Sequence, residues 1–157
     1  MATISNDQDL RKLLWKLPMD QQRIIGARFA QSVVHLSKDE RVNRAISTGL
    51  RADASADELE DAYRAAKAWS TKTYTDCGKD TDWLAQADHF VAAATATALT
   101  PDSLLAENAS PAWKAAMQAR MANNCELVDA NDDAHTDEVQ RQYQIAEGFI
   151  GAASISS

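Results

Sequence analysis

Asp88 and His89 stand side by side in the run Trp83–Leu99, WLAQADHFVAAATATAL, whose last eleven residues, from His89, carry no Asp, Glu, Lys or Arg. A carboxylate beside an imidazole offers the two ordinary groups of general acid–base chemistry. Neighbouring positions of a helix point about 100° apart, however, so the two cannot form a dyad by themselves. Catalysis would need a third group from another helix, such as His35 or a carboxylate in Glu58–Asp61. Without it the pair is structural. A buried polar group must find a partner, and Asp88 or His89 then bonds a neighbouring helix and fixes its register.

The other reactive residues converge no better. His35 and Asp39 are four apart, as two metal ligands on one helix face would be, but Ser37 between them reads as a helix start. His135 sits among the acids Asp132 and Asp133, where a divalent ion could gather loosely, yet no HExxH or paired ExxH pattern occurs. Glu58–Asp61 is an ExxD fragment of the kind that holds Mg²⁺ in helical pyrophosphohydrolases, but no second acidic set follows on the Ala-rich helix. Cys77 lies at a helix's C-terminal end, where the dipole does not lower a thiol's pKa, and Cys125 reads as a packing residue. No GxSxG elbow and no phosphate-cradling GxGxxG or GxxxxGK[ST] loop is present. We therefore expect no catalytic residues, no metal site and no cofactor.

These residues must be carried by helices. With 5 Gly and 3 Pro in 157 residues, and no clean apolar alternation, the chain has the composition of an all-α protein. That length is enough for one domain that buries roughly two-thirds of its unfolded surface. Capping-box spacing marks starts at Ser5 with Gln8, Ser37 with Glu40 and Ser55 with Glu58. Thr100-Pro101 and Ser110-Pro111 pair a capping hydroxyl with Pro at the first helical position.

Seven helices are expected, at about 6–17, 19–36, 38–48, 56–76, 82–99, 111–131 and 136–150, with a brief turn of helix at 101–107. Their inward stripes begin with Leu10, Leu13, Leu14 and Leu17, then Ile25, Phe29, Val33 and Leu36. Val42, Ala45 and Ile46 follow, with Gly49 as a C-terminal stop, and then Leu59, Tyr63, Ala66 and Trp69. The sixth helix is expected to bury Trp113, Met117, Met121 and Val128, and the seventh Val139, Tyr143, Ala146 and Ile150. The polar run Asp129–Asp137 leaves both a break and one bent helix open. The expected architecture is a single-domain bundle of six to seven helices over 1–150, with the Ala-rich helix buried at its centre and a flexible tail at 151–157.

Charge indicates where a partner would sit. Residues 1–50 carry eight basic against five acidic residues, and residues 51–157 carry eight against eighteen, for a net charge of −7. From Cys125 onward there are seven acids and one base, Arg141. Such a field repels phosphate backbones and anionic lipid and steers basic proteins inward. Asp129, Asp132, Asp133, Asp137 and Glu138 form the candidate partner-binding face. Trp15 and Trp113, near helix ends, are candidate anchors. The start MATISNDQDL lacks the pattern of a signal peptide and no apolar run reaches membrane-spanning length, so we expect a cytoplasmic chain with reduced cysteines.

With the helices placed, the segments Leu17-Pro18…Gln22, ARFA at Ala27–Ala30, DERVNRAI at Asp39–Ile46 and ADELEDAYRAAKAW at Ala56–Trp69, followed by the Ala-rich helix with His89, form a pattern. Over about residues 17–99 it resembles the Imm5-like group of bacterial immunity proteins, small all-α proteins encoded beside polymorphic toxins. The resemblance implies a non-catalytic protein that binds and neutralises a toxin, with the acidic field attracting a basic domain such as a nuclease. It implies that Asp39 and Arg41 brace the third helix rather than touch the toxin. The alternatives are a self-associating helical adaptor or structural subunit and, beyond it, a metal- or ligand-binding bundle.

Overall fold

The computed structural model describes residues 4–76, 82–130 and 138–156. Among them are seven α-helices and no strand: α1 (Asp7–Lys16), α2 (Met19–Gln31), α3 (Glu40–Leu50), α4 (Ala56–Asp76), α5 (Trp83–Ala98), α6 (Pro111–Asp129) and α7 (Glu138–Ser156). Short 3-10 turns occupy Val34–Leu36 and Asp102–Leu104. The all-α bundle expected from composition is the observed fold. Helix α6 ends at Asp129, capped by Ala130, whose amide donates to the Glu126 and Val128 carbonyls, and α7 begins separately at Glu138. Helix α7 is described through Ser156, six residues beyond the expected end at 150.

Two of the five expected caps form as read. Ser55 and Glu58 make a reciprocal capping box, each side chain accepting from the other's amide at 3.1 Å. Ser110 accepts from the Trp113 amide at 3.3 Å, with Pro111 opening α6. The other three are corrected. Asn6, not Ser5, caps α1 by accepting from the Asp9 amide, and Asp39, not Ser37, caps α3 through the Arg41 amide. In both cases a comparably good capping residue stands closer to the first turn. Thr100 turns back to donate to the Ala96 carbonyl and caps nothing.

Helix α2 also stops earlier than expected, at Gln31, because Val33 has left helical geometry (φ −119°, ψ 17°). Val33 and Leu36 nevertheless remain buried with Ile25 and Phe29, held there by the 3-10 turn.

Helix α5 lies at the centre, packed against α6, α4, α2 and α3. It buries Ala87, Asp88, Val91, Ala92, Ala94, Thr95, Ala96 and Ala98. Its partner face on α6 is also built of small residues: Ala112, Ala115, Ala116, Ala119 and Ala122 are fully buried. Small side chains let two helix backbones approach closely, so burial is gained by contact between main chains rather than by long side chains. This overturns the expected inner stripe of α6. Trp113 and Met117 only flank the core, while Met121 and Val128 are 46% and 51% exposed.

Gly49 does not end α3, which continues to Leu50. A Cβ at Gly49 would lie 2.8 Å from Leu99 Cδ2 and 3.2 Å from Ala27 Cβ, so the glycine permits a close crossing instead.

Polar residues tie these contacts together. Gln22 is buried and its Oε1 accepts from the Ser110 hydroxyl at 2.7 Å, joining the start of α2 to the start of α6. The Gln22 amide donates to the Leu17 carbonyl. Arg120 holds Asp7 with two bonds of 2.7 and 2.9 Å and donates to Gln142 Oε1 at 2.8 Å, while Tyr143 donates to Asp7. The Arg120 guanidinium keeps the Asp7 carboxyl below its ordinary range. Ser110→Ala removes both the α6 cap and the shorter of the two bonds that Gln22 Oε1 accepts. It should lower unfolding stability by about 2 kcal/mol, read as a shifted midpoint in urea with an unchanged slope.

Candidate functional site

Asp88 is 3% exposed and each of its oxygens is engaged. Oδ1 accepts from the Lys38 backbone amide at 2.8 Å and Oδ2 from the Trp69 indole N–H at 2.9 Å. One carboxylate therefore joins α5 to α4 and to the segment that leads into α3. Neither His35 nor the Glu58–Asp61 acids supply the third group that catalysis would require: His35 bonds Glu126, Glu58 is held by Arg51 and Ser55, and Glu60 pairs with Arg64.

His89 is half-buried and points to α4. Its Nδ1 lies 3.0 Å from the Ser70 carbonyl and 3.0 Å from the Thr73 hydroxyl. A carbonyl can only accept, so Nδ1 carries the proton and Nε2 keeps its lone pair. Phe90 meets the ring edge-on and Tyr74 lies tilted against it, with centroids 5.2 and 5.8 Å away. Burial pushes the His89 pKa below the ordinary imidazole value, against the opposing pull of the Ser70 carbonyl and the Asp88 charge.

The unfolded chain therefore takes up a proton on His89 before the folded chain does. The stability this group contributes is present above the imidazole range and lost as the pH falls through it, from about 6.5 downward. His89→Gln should flatten that part of the melting-temperature profile. An unchanged slope would show that His89 does not set it.

The acidic candidates divide. Asp129 is exposed at the end of α6, and Asp132, Asp133, His135 and Asp137 lie outside the described residues, as does Cys77. Glu138 is not on a surface face: it is 1% exposed. It accepts from the Ser32 hydroxyl and from Arg141, both at 2.6 Å, which ties α7 to the end of α2. Burial pushes its pKa up despite those bonds. An acidic residue next to a run of acids reads as solvated until the packing of a distant helix over it is known.

Asp39 pairs with Arg41 at 2.9 Å while capping α3. His35 and Asp39 do not converge, and among the described residues no three His, Cys, Asp or Glu side chains gather as metal ligands. Cys125 is buried in the core. Trp15 is partly exposed, its indole donating to the Asn108 carbonyl at 3.0 Å, and Arg11 lies over both Trp15 and Trp113. Among the described residues no helix is long and apolar enough to cross a membrane.

A sizeable concavity lies elsewhere. A groove of about 650 Å³ runs between the starts of α2 and α4, the end of α5 and the turn that follows it. Leu59, Tyr63, Leu99, Pro101 and Leu105 line it, and Met19 and Leu104 stand 41% and 63% exposed along it. Asp20 and Asp102 are exposed at its edge and make no ion pair among the described residues, whereas Glu60 is neutralised by Arg64. Arg23 is turned to the Gly49 and Arg51 carbonyls, where it closes the end of α3. The groove is thus apolar along its length, with Asp20 and Asp102 as exposed acids at its rim and Arg23 as a cation held on main-chain carbonyls beside them. Sequence reading missed it because its walls come from four separated segments. The one local signal was Leu104-Leu105 in a connection too short to bury them.

No family model, curated protein or solved structure matches this chain.

Proposed function

We propose that this chain is a non-catalytic protein-binding module of the toxin-neutralising kind, and that the groove along the end of α5 receives an apolar, basic segment of its partner. The observation that carries the reading is the exposure of Met19 and Leu104 beside the unpaired Asp20 and Asp102. Exposed apolar side chains gathered in a groove mark binding surfaces, because burying them on a partner recovers the free energy lost to water. A chain of net charge −7 adds long-range attraction for a basic domain. The resemblance over residues 17–99 supplies the class of partner. Among the acids from Cys125 onward, Glu138 is excluded as a contact by its burial.

The test is co-expression with a toxin domain encoded beside this gene. The chain should protect the cell and form a stable complex. Met19→Glu with Leu104→Glu should abolish both, while the melting temperature stays within a degree or two of the parent, because both side chains are exposed. Absence of a complex would overturn the reading, as would protection that survives both substitutions. Asp20→Lys with Asp102→Lys should slow association about tenfold at low salt and weaken its salt dependence, measured by stopped-flow mixing.

A second reading, self-association, is favoured by the exposed Met121 and Val128, which share the outward face of α6. It predicts a dimer whose dissociation follows Met121→Glu in sedimentation. A monomer at high concentration removes it.

A further inference from the structure

Adjoining the large groove is a second, smaller cleft of about 290 Å³ whose chemistry differs from everything around it. Helix α4 contributes Tyr63, Lys67 and Ser70, at the i, i+4, i+7 spacing of one face. Helix α5 contributes His89, Phe90 and Thr97, and α6 contributes Gln118.

Three features of this lining point to a ligand. Lys67 is its one charged residue apart from any charge on His89, and no carboxylate lines it, in a chain whose net charge is −7. Lys67 makes no ion pair among the described residues, so its ammonium is available to an anion. His89 is held by Ser70 in the tautomer that leaves Nε2 as an acceptor, and no described group bonds that nitrogen. The ring is thereby fixed in orientation, as a recognition group must be. Phe90 and Ala93 give the floor an apolar patch between these polar groups.

We propose that this cleft binds a small hydroxycarboxylate, its carboxylate on Lys67 Nζ, its hydroxyl donating to His89 Nε2 and its carbon body against Phe90. The volume lies at the lower end of ligand sites, about 300 Å³, which restricts the ligand to roughly one ring or a short chain. The cleft is separate from the apolar groove in its chemistry, and the proposal does not depend on the protein-binding reading.

The experiment is a titration of the isotopically labelled chain with lactate and with 4-hydroxybenzoate, following the His89 ring nitrogens by NMR. Benzoate and 4-hydroxybenzyl alcohol, each lacking one of the two groups, serve as controls. At least one hydroxycarboxylate should shift His89 Nε2 saturably in the millimolar range, with benzoate about fivefold weaker, the loss expected for one hydrogen bond to a neutral imidazole, and 4-hydroxybenzyl alcohol about tenfold weaker or more, the loss expected for one bond to a charged ammonium. Lys67→Met should weaken that binding by a similar factor. Lys67 is exposed, so this variant stays folded even where a change at His89 does not. The proposal is overturned by the absence of a saturable shift with either probe, by equal binding of a control, or by full affinity in Lys67→Met.

Discussion

Asp88→Ala should be the most damaging polar substitution in the chain, lowering stability by about 3 to 5 kcal/mol. The carboxylate accepts from a backbone amide and from an indole N–H in a site that is 3% exposed. Hydrogen bonds to a charged group contribute about 1.5–3 kcal/mol each, and truncation leaves both donors without a partner. In a domain of this size each kcal/mol moves the melting temperature by about 2–4 °C, so a fall of roughly 6–20 °C is expected. Asp88→Asn keeps the shape and one acceptor oxygen, and should lose about half as much. Melting curves of the two variants against the parent test the point. Equal, small losses would mean that water replaces the carboxylate, and that Asp88 does not join α4 and α5.

The second large effect concerns a residue with no side chain. At Gly26 a Cβ would sit 2.9 Å from Ala98 Cβ and 3.5 Å from Ala115 Cβ, where α2 crosses α5 and α6. Neither alanine has a rotamer through which to retreat, so the helices themselves must separate. Gly26→Val should lower stability by about 3 kcal/mol, the upper part of the range for overpacking, even though valine is the better helix former. Gly148, on α7, has open space around its Cβ position, and Gly148→Ala should instead gain about 1 kcal/mol. Opposite signs for two helical glycines would locate the tight crossing. A neutral Gly26→Val would show that the bundle can open there.

The two effects share a cause. Asp88 and the small-residue crossings both serve an interface built at short backbone separation. The Ala-rich α5 buries little area per side chain, so its register must be set by a few directional bonds and by exclusion of bulk. Away from that interface the surface holds the apolar groove with Met19 and Leu104 and the Lys67–His89 cleft that adjoins it.

Helix identity was legible because it rests on local signals. The Ser55–Glu58 box and the Ser110-Pro111 start are bonds within one turn, and their residues announce them. Ser5 and Ser37 misled because Asn6 and Asp39, equally local and comparable as caps, stand one and two positions nearer the first turn. The α6 face was misread for a different reason. Met and Trp promise more burial area than Ala, but the neighbour across the interface is itself a small-residue helix, and only close approach to it excludes water. The role of Asp88-His89 as a helix-to-helix tie was legible in kind, though not in its partners Trp69, Lys38 and Ser70, which come from sequence positions 19 to 50 residues away.

The all-α class, the helical segments and the centrality of the Ala-rich run could thus be read from the sequence, because caps, breakers and apolar spacing act over a few residues, whereas the separation of α6 from α7 was left open by it. The tertiary structure alone decided which face of α6 turns inward, that Glu138 is buried under Ser32 and Arg141, and that four separated segments close around a groove. Those outcomes depend on which helices meet and how closely, and a contact between distant residues leaves no periodic trace in either segment.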